Sequence, residues 1–446
     1  MAPVPRRTSA TGRSPVVVLG SGMAALGATE RLRAAGEDFL VFDKNPFYGG
    51  HTATVRHRNG FLFDDGPHVS FTRDERVRRI LDGFVEGRQH TVVARLNNYW
   101  QGHWITHPVQ MNLHSLPKDL VVRILMDFVA AQAADTPPDI RTYRDWLTAS
   151  YGPTFAQTFP EVYGRKYHTT GSENMTTDWL GPRMYRPDLS EILRGALGVP
   201  SPSVHYVTEF KYPEEGGFVS YLRPFANMPE LRLRHEVVEI DPAKRTVRFA
   251  NGHVQAYRAL ISSVPLPALV PLLRGVPARV SAAAQHLSFT NVVLVNLGID
   301  REDLSEAQIS YFYDEDIAFA RLSFPHLFAQ GTVPPGAGSI QAEIYFSERY
   351  RPLRVPPASL ISRVVADLRR SGVLRPEDRI TFREARVVPF ANVIYDLDRA
   401  TALQEVRDHL RETGLHSCGR YGAWDHAWTD EAFLSGERAA ESVLSG

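Results

Sequence analysis

The sequence predicts an α/β fold built on a parallel sheet, and three consecutive elements near the N-terminus support this. The continuous apolar run PVVVLG at 15–20 suits a strand that is buried on both faces of such a sheet. Apolar residues then recur at helical spacing from Met23 to Ala35, and Gly36 ends the predicted helix. FLVFDK at 39–44 follows as a second strand. We expect these elements to form a right-handed βαβ unit.

A glycine-rich turn joins the first strand to the helix. Gly20 permits a tight turn, Gly22 lets the backbone approach a pyrophosphate, and the small Ala25 stands where a third glycine often packs helix against strand. Asp43 ends the second strand, where a carboxylate accepts hydrogen bonds from an adenosine ribose. A plain turn without a ligand is the alternative, but the βαβ context favours a dinucleotide with its phosphates at the helix N-terminus.

Two further turns favour a flavin over a nicotinamide dinucleotide, since both cofactors use this fingerprint. Gly49-Gly50-His51-Thr52 follows Asp43 closely and can bring a second stretch of backbone against the pyrophosphate and flavin. Gly419-Arg420-Tyr421-Gly422 precedes an amphipathic helix from Asp430 to Leu444, and such a turn can offer N–H dipoles to the flavin. The order of these turns indicates FAD.

Composition excludes several other classes of function. The 446 residues include 50 basic and 50 acidic side chains, which gives no global argument for nucleic acid or an anionic membrane. The single Cys418 excludes a disulfide framework and suits a reducing compartment, so we expect a cytoplasmic protein. No spaced Cys/His set predicts a metal site. A small-molecule ligand is the default, and the oligomeric state stays open.

The predicted domains are interleaved along the chain. Helical patterns dominate from about 76 to 204, and alternating strands with DPAK and NG turns lie between 231 and 264. Further strands, NVVLVNLGI and SIQAEIYF, lie in the stretch 288–350. We expect the following segments: a disordered lead-in at 1–13, an FAD-binding domain from 14–75, 205–265 and 375–446, a helical insertion at 76–204, and a sheet-bearing substrate section at 266–374.

These motifs together resemble the flavoprotein family of UDP-galactopyranose mutases, eukaryotic type, and their protoporphyrinogen-oxidase and amine-oxidase relatives. The resemblance implies a Rossmann-type FAD-binding domain of the GR2-like class, with an inserted helical and antiparallel-sheet substrate domain. The matching stretches are GSGMAALGA, Asp43, GGHTAT, GFLFDDGPHVSF, NNYWQGHWITHPVQMNLHSLPKD, DWLGPR at 178–183, YPEEGG at 212–217 and GRYGAWDH at 419–426.

The resemblance implies an enzyme whose FAD must be reduced before it works. In that family the flavin N5 attacks the anomeric carbon of a nucleotide sugar, with no net redox change, and NADPH or NADH is a possible reductant. Arg183 and Arg321 match two arginines that clamp the diphosphate, which suits the planar guanidinium group. His68 matches a histidine beside the flavin. These three are the predicted catalytic residues.

Departures from the family fall at the substrate positions. Gln110 matches a glutamine that contacts uracil, but Val109 and His107 replace aromatic residues beside it. Gly164 and His168 stand where the mutases have an asparagine and a tryptophan. We therefore expect a nucleotide sugar with a non-standard base or sugar. The predicted substrate contacts are Gln110, His107, His168, Arg183, Arg321, Tyr395 and His426. The predicted cofactor contacts are Gly20, Gly22, Ala25, Asp43, Lys44, Gly49, Gly50, His51, Thr52, Val237, Gly419, Arg420 and Asp430.

Three functions follow from these patterns. A nucleotide-sugar mutase explains both arginines. A true oxidoreductase, in which FAD takes a hydride from an amine or another substrate, explains the altered pocket, with His68, His168 and His426 as acid-base candidates. A non-catalytic flavin-binding module is the third, and it is disfavoured because the cofactor motifs are nearly complete.

Overall fold

The computed structural model describes residues 14–133, 139–181, 184–199 and 207–446. The strands are β1 (Val16–Leu19), β2 (Phe39–Phe42), β3 (Thr54–Arg56), β4 (Leu62–Asp64), β5 (Gln89–Val93), β6 (Leu96–Trp100), β7 (His103–Thr106), β8 (Glu209–Pro213), β9 (Leu231–Arg232), β10 (Val237–Asp241), β11 (Thr246–Phe249), β12 (Val254–Ala256), β13 (Ala259–Ser262), β14 (Phe289–Ile299), β15 (Ile309–Phe312), β16 (Arg321–Ser323), β17 (Gly338–Phe346), β18 (Ile380–Val393) and β19 (Leu415–Ser417). The helices are α1 (Met23–Ala34), α2 (Glu75–Phe84), α3 (Lys118–Gln132), α4 (Tyr143–Tyr151), α5 (Pro153–Thr158), α6 (Pro160–His168), α7 (Leu189–Ala196), α8 (Leu266–Leu269), α9 (Ala278–His286), α10 (Leu360–Arg370), α11 (Arg399–Glu412), α12 (Gly419–Gly422) and α13 (Thr429–Ser445).

The predicted α/β fold is confirmed by a parallel sheet in the order β19-β13-β1-β2-β9. β1 is central: it pairs in parallel with β13 on one side and with β2 on the other. All four residues of β1 are buried, as a strand covered on both faces requires. The βαβ unit of β1, α1 and β2 therefore forms as the sequence predicts. The other three strands come from distant segments of the chain.

The first and last long helices touch along their backbones. A Cβ atom added to Gly436 of α13 would lie 1.8 Å from the carbonyl oxygen of Ala24 in α1. One added to Gly27 of α1 would lie 2.0 Å from the carbonyl oxygen of Phe433. Because glycine alone permits this approach, the C-terminal helix lies directly beside the N-terminal glycine turn.

A second, mixed sheet has the order β18-β14-β17-β16-β15-β6-β7. Its central strands β14 and β17 pair antiparallel over nearly their whole length, and every residue of β17 is buried. One face of this sheet forms a wall of the central cavity. The meander β10-β11-β12 is a separate sheet whose connections are the predicted DPAK and NG turns.

The strands of this second sheet cross two expected domain limits. β18 lies in the segment 375–446, which we expected in the FAD-binding domain, yet it pairs with β14. β6 and β7 lie in the expected helical insertion 76–204, yet they join the same sheet through β15. Alternating polar and apolar residues reveal a strand, but the choice of sheet depends on partners far away in the sequence. The helices α3, α4, α5 and α7 share one apolar core, whereas the tyrosines of α6 pack against the second sheet.

A search of the described residues for helices long and apolar enough to cross a membrane finds none.

We predict that Gly436→Ala lowers the free energy of unfolding by about 1–3 kcal/mol, because the added methyl group must separate α1 from α13. Thermal unfolding of the purified protein measures this. Gly83→Ala is the matched control, since Gly83 lies in α2 with open space around its Cα and alanine favours a helix. Equal stability of the Gly436→Ala variant and the wild type would contradict the close crossing.

Candidate active site

One cavity of about 930 Å³ extends from the glycine turn of α1 to the helical insertion. This volume lies at the upper end of the range for small-molecule sites. Its lining includes Gly20 and Asp43 at one end, Arg321 on the face of the second sheet, and Trp179 at the other end. Cofactor and substrate positions predicted from separate motifs therefore share one space.

Three glycine turns meet at the first end of the cavity. A Cβ atom on Gly50 would lie 3.3 Å from the Cα atom of Gly22, and one on Gly419 would lie 2.7 Å from the Cβ atom of Ala24. Gly49 has φ 120°, a conformation that side chains rarely adopt. The structure thus brings together the early and late turns that the sequence assigns to FAD.

The N-terminus of α1 is suited to bind phosphate. Gly22 is the N-cap residue of this 12-residue helix, and no side chain caps its first N–H groups. The first turn contains no acidic residue. These N–H groups and the positive end of the helix dipole fit the pyrophosphate of FAD.

Asp43 is oriented before any ligand binds. Its Oδ2 accepts a hydrogen bond of 2.7 Å from the Ser21 hydroxyl, and its Oδ1 accepts one of 2.8 Å from the backbone N–H of Asn45. Each carboxylate oxygen has a further lone pair, which fits a ribose hydroxyl. Lys44 and Val237 line the cavity beside it.

His51 and His68 are half-buried in the wall of the cavity and are neutral near pH 7. The Nε2–H of His51 donates to the Pro389 carbonyl at 2.8 Å, and burial lowers the pKa of this ring. The Nδ1–H of His68 donates to the Gly66 carbonyl at 2.9 Å, and burial lowers its pKa to about 4. A neutral His68 that donates from Nδ1 keeps Nε2 as a hydrogen-bond acceptor.

Arg420 links the late glycine turn to the second sheet. Its Nη1 donates to the Ala427 carbonyl and its Nη2 to Oδ1 of Asn392, each at 2.9 Å. Both of these acceptors are uncharged. The positive charge of Arg420 therefore acts on the cavity and helps to lower the pKa of His68 and His168, after the larger effect of burial.

Arg321 forms a buried, two-fold hydrogen-bonded pair with Glu343, a residue that sequence reasoning missed. The two residues lie opposite each other in β16 and β17, with Nε–Oε1 at 2.7 Å and Nη2–Oε2 at 2.8 Å. The Tyr345 hydroxyl also donates to Glu343. Burial is the largest single effect on Arg321 and opposes its charge, but Glu343 and the surrounding tyrosines together outweigh it and raise the pKa. Polar residues at alternate positions of the apolar run SIQAEIYF were the available signal.

Tyrosines form the wall around this pair, and they too were missed. Tyr163 and Tyr167 of α6 stack with ring centroids 5.5 Å apart, and Tyr167 lies 4.6 Å from Tyr345. His107 stacks on Tyr311 at 5.0 Å. The predicted contact His107 therefore lies in the same wall as Arg321.

The predicted base contacts lie at the helical end of the cavity. Gln110 donates its amide N–H to the Tyr185 carbonyl at 3.1 Å, which leaves its own carbonyl oxygen as an acceptor. His168 is buried, and its ring lies 5.1 Å from Trp179. His426 lies on Trp179 as well, at 6.4 Å. All four side chains line the cavity.

Three predicted site residues do not line the cavity, and the position of a fourth is not described. Ala25 is buried in the core that packs α1, as its predicted packing role requires. Asp430 lies in the first turn of α13 and does not line the cavity, although the adjacent Thr429 does. Tyr395 was predicted to bind substrate, but its ring is buried outside the cavity lining and its hydroxyl donates to Asp425. Arg183 lies outside the described residues.

Comparison with known proteins identifies the family. A family model described as flavin containing amine oxidoreductase matches residues 23–444. The chain belongs to this family. This flavoprotein is therefore an FAD-binding enzyme of that family, and its glycine turns, Asp43 and open helix N-terminus are suited to hold the cofactor.

Three solved structures share the fold of this flavoprotein. Reduced UDP-galactopyranose mutase is similar with a TM-score of 0.91 and 24% identity, over 97% of this chain and 96% of that one. A protein from Exiguobacterium sp. 255-15, described as a protoporphyrinogen oxidase, is similar with a TM-score of 0.76 and 15% identity, over 97% of this chain and 99% of that one. Putrescine oxidase bound to putrescine is similar with a TM-score of 0.64 and 16% identity, over 97% of this chain and 99% of that one. Mutase and oxidase neighbours thus both match the whole chain.

We predict that Asp43→Ala weakens FAD binding by about tenfold to a hundredfold, because it removes a charged acceptor for the ribose. Fluorescence titration of the apoprotein with FAD measures the affinity. Glu37→Gln is the matched control: Glu37 precedes β2, at the end opposite Asp43, and forms a partly exposed pair with Arg258. Unchanged FAD affinity in Asp43→Ala would contradict the assigned ribose contact.

We predict that His68 makes the apoprotein less stable in acid. Its pKa is about 4 in the fold and 6.5 ordinarily, so between these values the unfolded chain binds the proton and the folded one does not. Titration of His68 therefore leaves the free energy of unfolding unchanged above pH 6.5. It lowers this free energy as the pH falls from 6.5 towards 4, by about 2 kcal/mol at pH 5. Asp64, whose pKa burial raises to about 6, acts in the opposite direction.

The test compares melting temperatures at pH 7 and pH 5. His68→Asn should lose less stability than the wild type over this interval, since asparagine does not titrate. His286→Asn, at an exposed position on α9, should behave as the wild type does. An identical loss in His68→Asn and wild type would show that His68 titrates normally.

Proposed function

We propose that this flavoprotein is a nucleotide-sugar mutase that interconverts pyranose and furanose rings with reduced FAD. The observation that carries the proposal is the placement of Arg321 in the same cavity as the FAD cradle, with its guanidinium plane fixed by Glu343. The whole-chain likeness to reduced UDP-galactopyranose mutase supports it. When bound and reduced, FAD supplies an electron-rich ring nitrogen that can displace a diphosphate from an anomeric carbon.

Arg321 is the group that would receive the diphosphate. Glu343 occupies its Nε and one Nη2 position, so Nη1 is the edge that remains for a ligand. A charged donor in a water-poor cavity stabilises the negative charge that develops on a leaving diphosphate. We further propose that Arg183, as its motif implies, completes the clamp.

His68 and the tyrosine wall would orient the sugar. The neutral His68 can accept a hydrogen bond at Nε2 from a sugar hydroxyl while the sugar ring opens and closes. Tyr163, Tyr167 and Tyr345 present a mostly apolar surface that excludes water around Arg321. Since His107, Val109 and His168 differ from the mutase pattern, we propose a substrate with a different base or sugar.

An oxidoreductase is the second candidate, and the Arg321–Glu343 pair favours it. This pair is internally neutral, so the wall around it does not demand an anionic substrate. An amine or alcohol could then lie against the tyrosines and pass a hydride to FAD. The family description and the putrescine oxidase neighbour are consistent with this alternative.

The deciding assay is anaerobic. We predict that the dithionite-reduced holoenzyme isomerises one or more of a panel of UDP-, dTDP- and GDP-hexoses, while the oxidised enzyme does not. NADPH and NADH are tested in parallel as reductants. Product separation by liquid chromatography gives the rates. Flavin bleaching by an amine or alcohol, with recovery in air and no isomerisation, would instead establish an oxidase.

Variants of Arg321 test the clamp. Arg321→Ala should reduce kcat by about 10²–10³, the usual effect of removing one charge-stabilising donor. Arg321→Lys keeps the charge opposite Glu343 and controls for misfolding, with FAD content as a second check. Arg279→Ala, on the exposed pair with Glu405, is the matched control. Full activity in Arg321→Ala would remove Arg321 from the mechanism.

A further inference from the structure

Arg420 differs from two other arginines of the cavity in the charge of its hydrogen-bond acceptors. Arg321 pairs with Glu343 and Arg386 with Asp65, so each has a buried carboxylate as its counter-ion. Within the part of the chain that the structure describes, Arg420 forms no salt bridge and donates to a backbone carbonyl and a side-chain amide. A charge inside a protein is usually balanced by an opposite one. The exception at the late glycine turn therefore calls for an explanation.

Asn392 supplies the amide oxygen, and a second donor fixes its orientation. The residue lies in β18, is 4% exposed and lines the cavity. Its Oδ1 accepts from Nη2 of Arg420 at 2.9 Å and from the Tyr167 hydroxyl at 3.0 Å. Because a guanidinium group can only donate, the amide oxygen must face Arg420. Arg420 thus has a neutral acceptor at a position where an aspartate would have nearly the same size.

A bulge in β18 aims Asn392 at the late glycine turn. The pairing of β18 with β14 is interrupted between Val388 and Asn392, and Phe390 within this interval has φ 54°. Such a conformation is unfavourable for an aromatic residue, and bulges of this kind re-aim side chains beside active sites. The Tyr421 hydroxyl donates to the Ala391 carbonyl at 2.9 Å and ties the bulge to that turn. The local backbone is therefore shaped to present Asn392 to Arg420.

The charge of Arg420 acts on the flavin end of the cavity. Arg420 lines the cavity and follows Gly419, which lies against Ala24 in the first turn of α1. After the larger effect of burial, its charge lowers the pKa of His51 and His68. Two electrons and one proton convert neutral oxidised FAD to a reduced form with one negative charge on its ring system. A nearby uncompensated cation stabilises that reduced form more than the oxidised one.

We propose that Asn392 is a positioning residue that keeps the positive charge of Arg420 uncompensated and so makes bound FAD easier to reduce. It acts through Arg420 and not by contact with a substrate. An aspartate at this position would accept the same two hydrogen bonds, but it would also pair with Arg420 and cancel the charge. The inference applies to the mutase and to the oxidase alike, since reduced FAD takes part in both reactions.

The test measures how readily the bound FAD is reduced when no substrate is present. The holoprotein is titrated with dithionite without oxygen beside a reference dye, and the absorbance of FAD and dye is followed. At a fixed ratio of reduced to oxidised dye, we expect Asn392→Asp to lower the ratio of reduced to oxidised FAD by about tenfold. For two electrons this corresponds to about 30 mV. Asn392→Leu should leave the ratio nearly unchanged, because Arg420 keeps its charge.

Two further variants complete the comparison. Asn251→Asp is the matched control, since it makes the same change in the exposed turn between β11 and β12, where the side-chain oxygen accepts from the His253 backbone N–H. Arg420→Gln removes the charge itself and should lower the ratio at least as much as Asn392→Asp does. The FAD content of each variant is checked by absorbance.

Each outcome has a defined meaning. Equal ratios in Asn392→Asp and wild type would overturn the inference, and so would an unchanged ratio in Arg420→Gln. An equal fall in Asn392→Asp and Asn392→Leu would assign the effect to a lost fit and would overturn the role of the charge. If Asn392→Asp does not fold, Arg420→Gln and Asn392→Leu decide between these outcomes. None of the measurements uses isomerase activity, so the mutase proposal stands or falls separately.

Discussion

The contact on which this structure depends is the backbone-to-backbone crossing of α1 and α13. Gly27 and Gly436 let two helices from opposite ends of the chain approach without intervening side chains. The crossing places the Gly419 turn against Ala24, in the first turn of α1 directly after the glycine turn that follows β1. A site assembled from residues near 20, near 50 and near 420 thus requires the chain to close on itself. The substrate sections fold between these closing segments.

Charge placement in the cavity follows from burial. Arg321 pairs with Glu343, and Arg386 pairs with Asp65 at 2.6 Å, so each arginine has a buried carboxylate as its counter-ion. Arg420 differs because its acceptors are a carbonyl and an amide oxygen. Its charge adds to the larger effect of burial in lowering the pKa of the nearby histidines, and it is available to an anionic ligand. Arg420 thus offers an uncompensated positive charge at one end of the cavity, whereas the charge of Arg321 is balanced by Glu343.

Local patterns in the sequence were sufficient to predict the βαβ unit and the glycine turns at its end of the cavity. β1, α1 and β2 are short-range elements, and the glycines around 20, 49 and 419 can be assigned by their position before or after such elements. The residues around Arg321 could not be predicted from local patterns in the same way. Glu343 meets Arg321 only because β16 and β17 pair, and the tyrosine wall forms only when α6 packs against the second sheet. No local pattern encodes these distant contacts.

Two differences show where sequence reasoning is weakest. β18 reads as a strand, but its partner β14 lies about 90 residues earlier in the chain, so its sheet could not be assigned. Tyr395 follows β18 and was expected at the substrate, whereas its hydroxyl accepts from the His426 backbone N–H at 2.9 Å. Tyr395 therefore holds the backbone of His426, which lines the cavity, without lining the cavity itself. Burial of an aromatic ring and its exposure to a ligand look the same in a sequence.

The central claim is that FAD and a nucleotide sugar occupy one cavity side by side. A crystal structure of the reduced holoenzyme with UDP tests it most directly. The account predicts the FAD pyrophosphate at the N-terminus of α1, the UDP diphosphate within hydrogen-bond distance of Arg321, and the nucleoside near Gln110. UDP bound elsewhere, or Arg321 and Glu343 still paired with no ligand beside them, would contradict the mutase account and favour the oxidase.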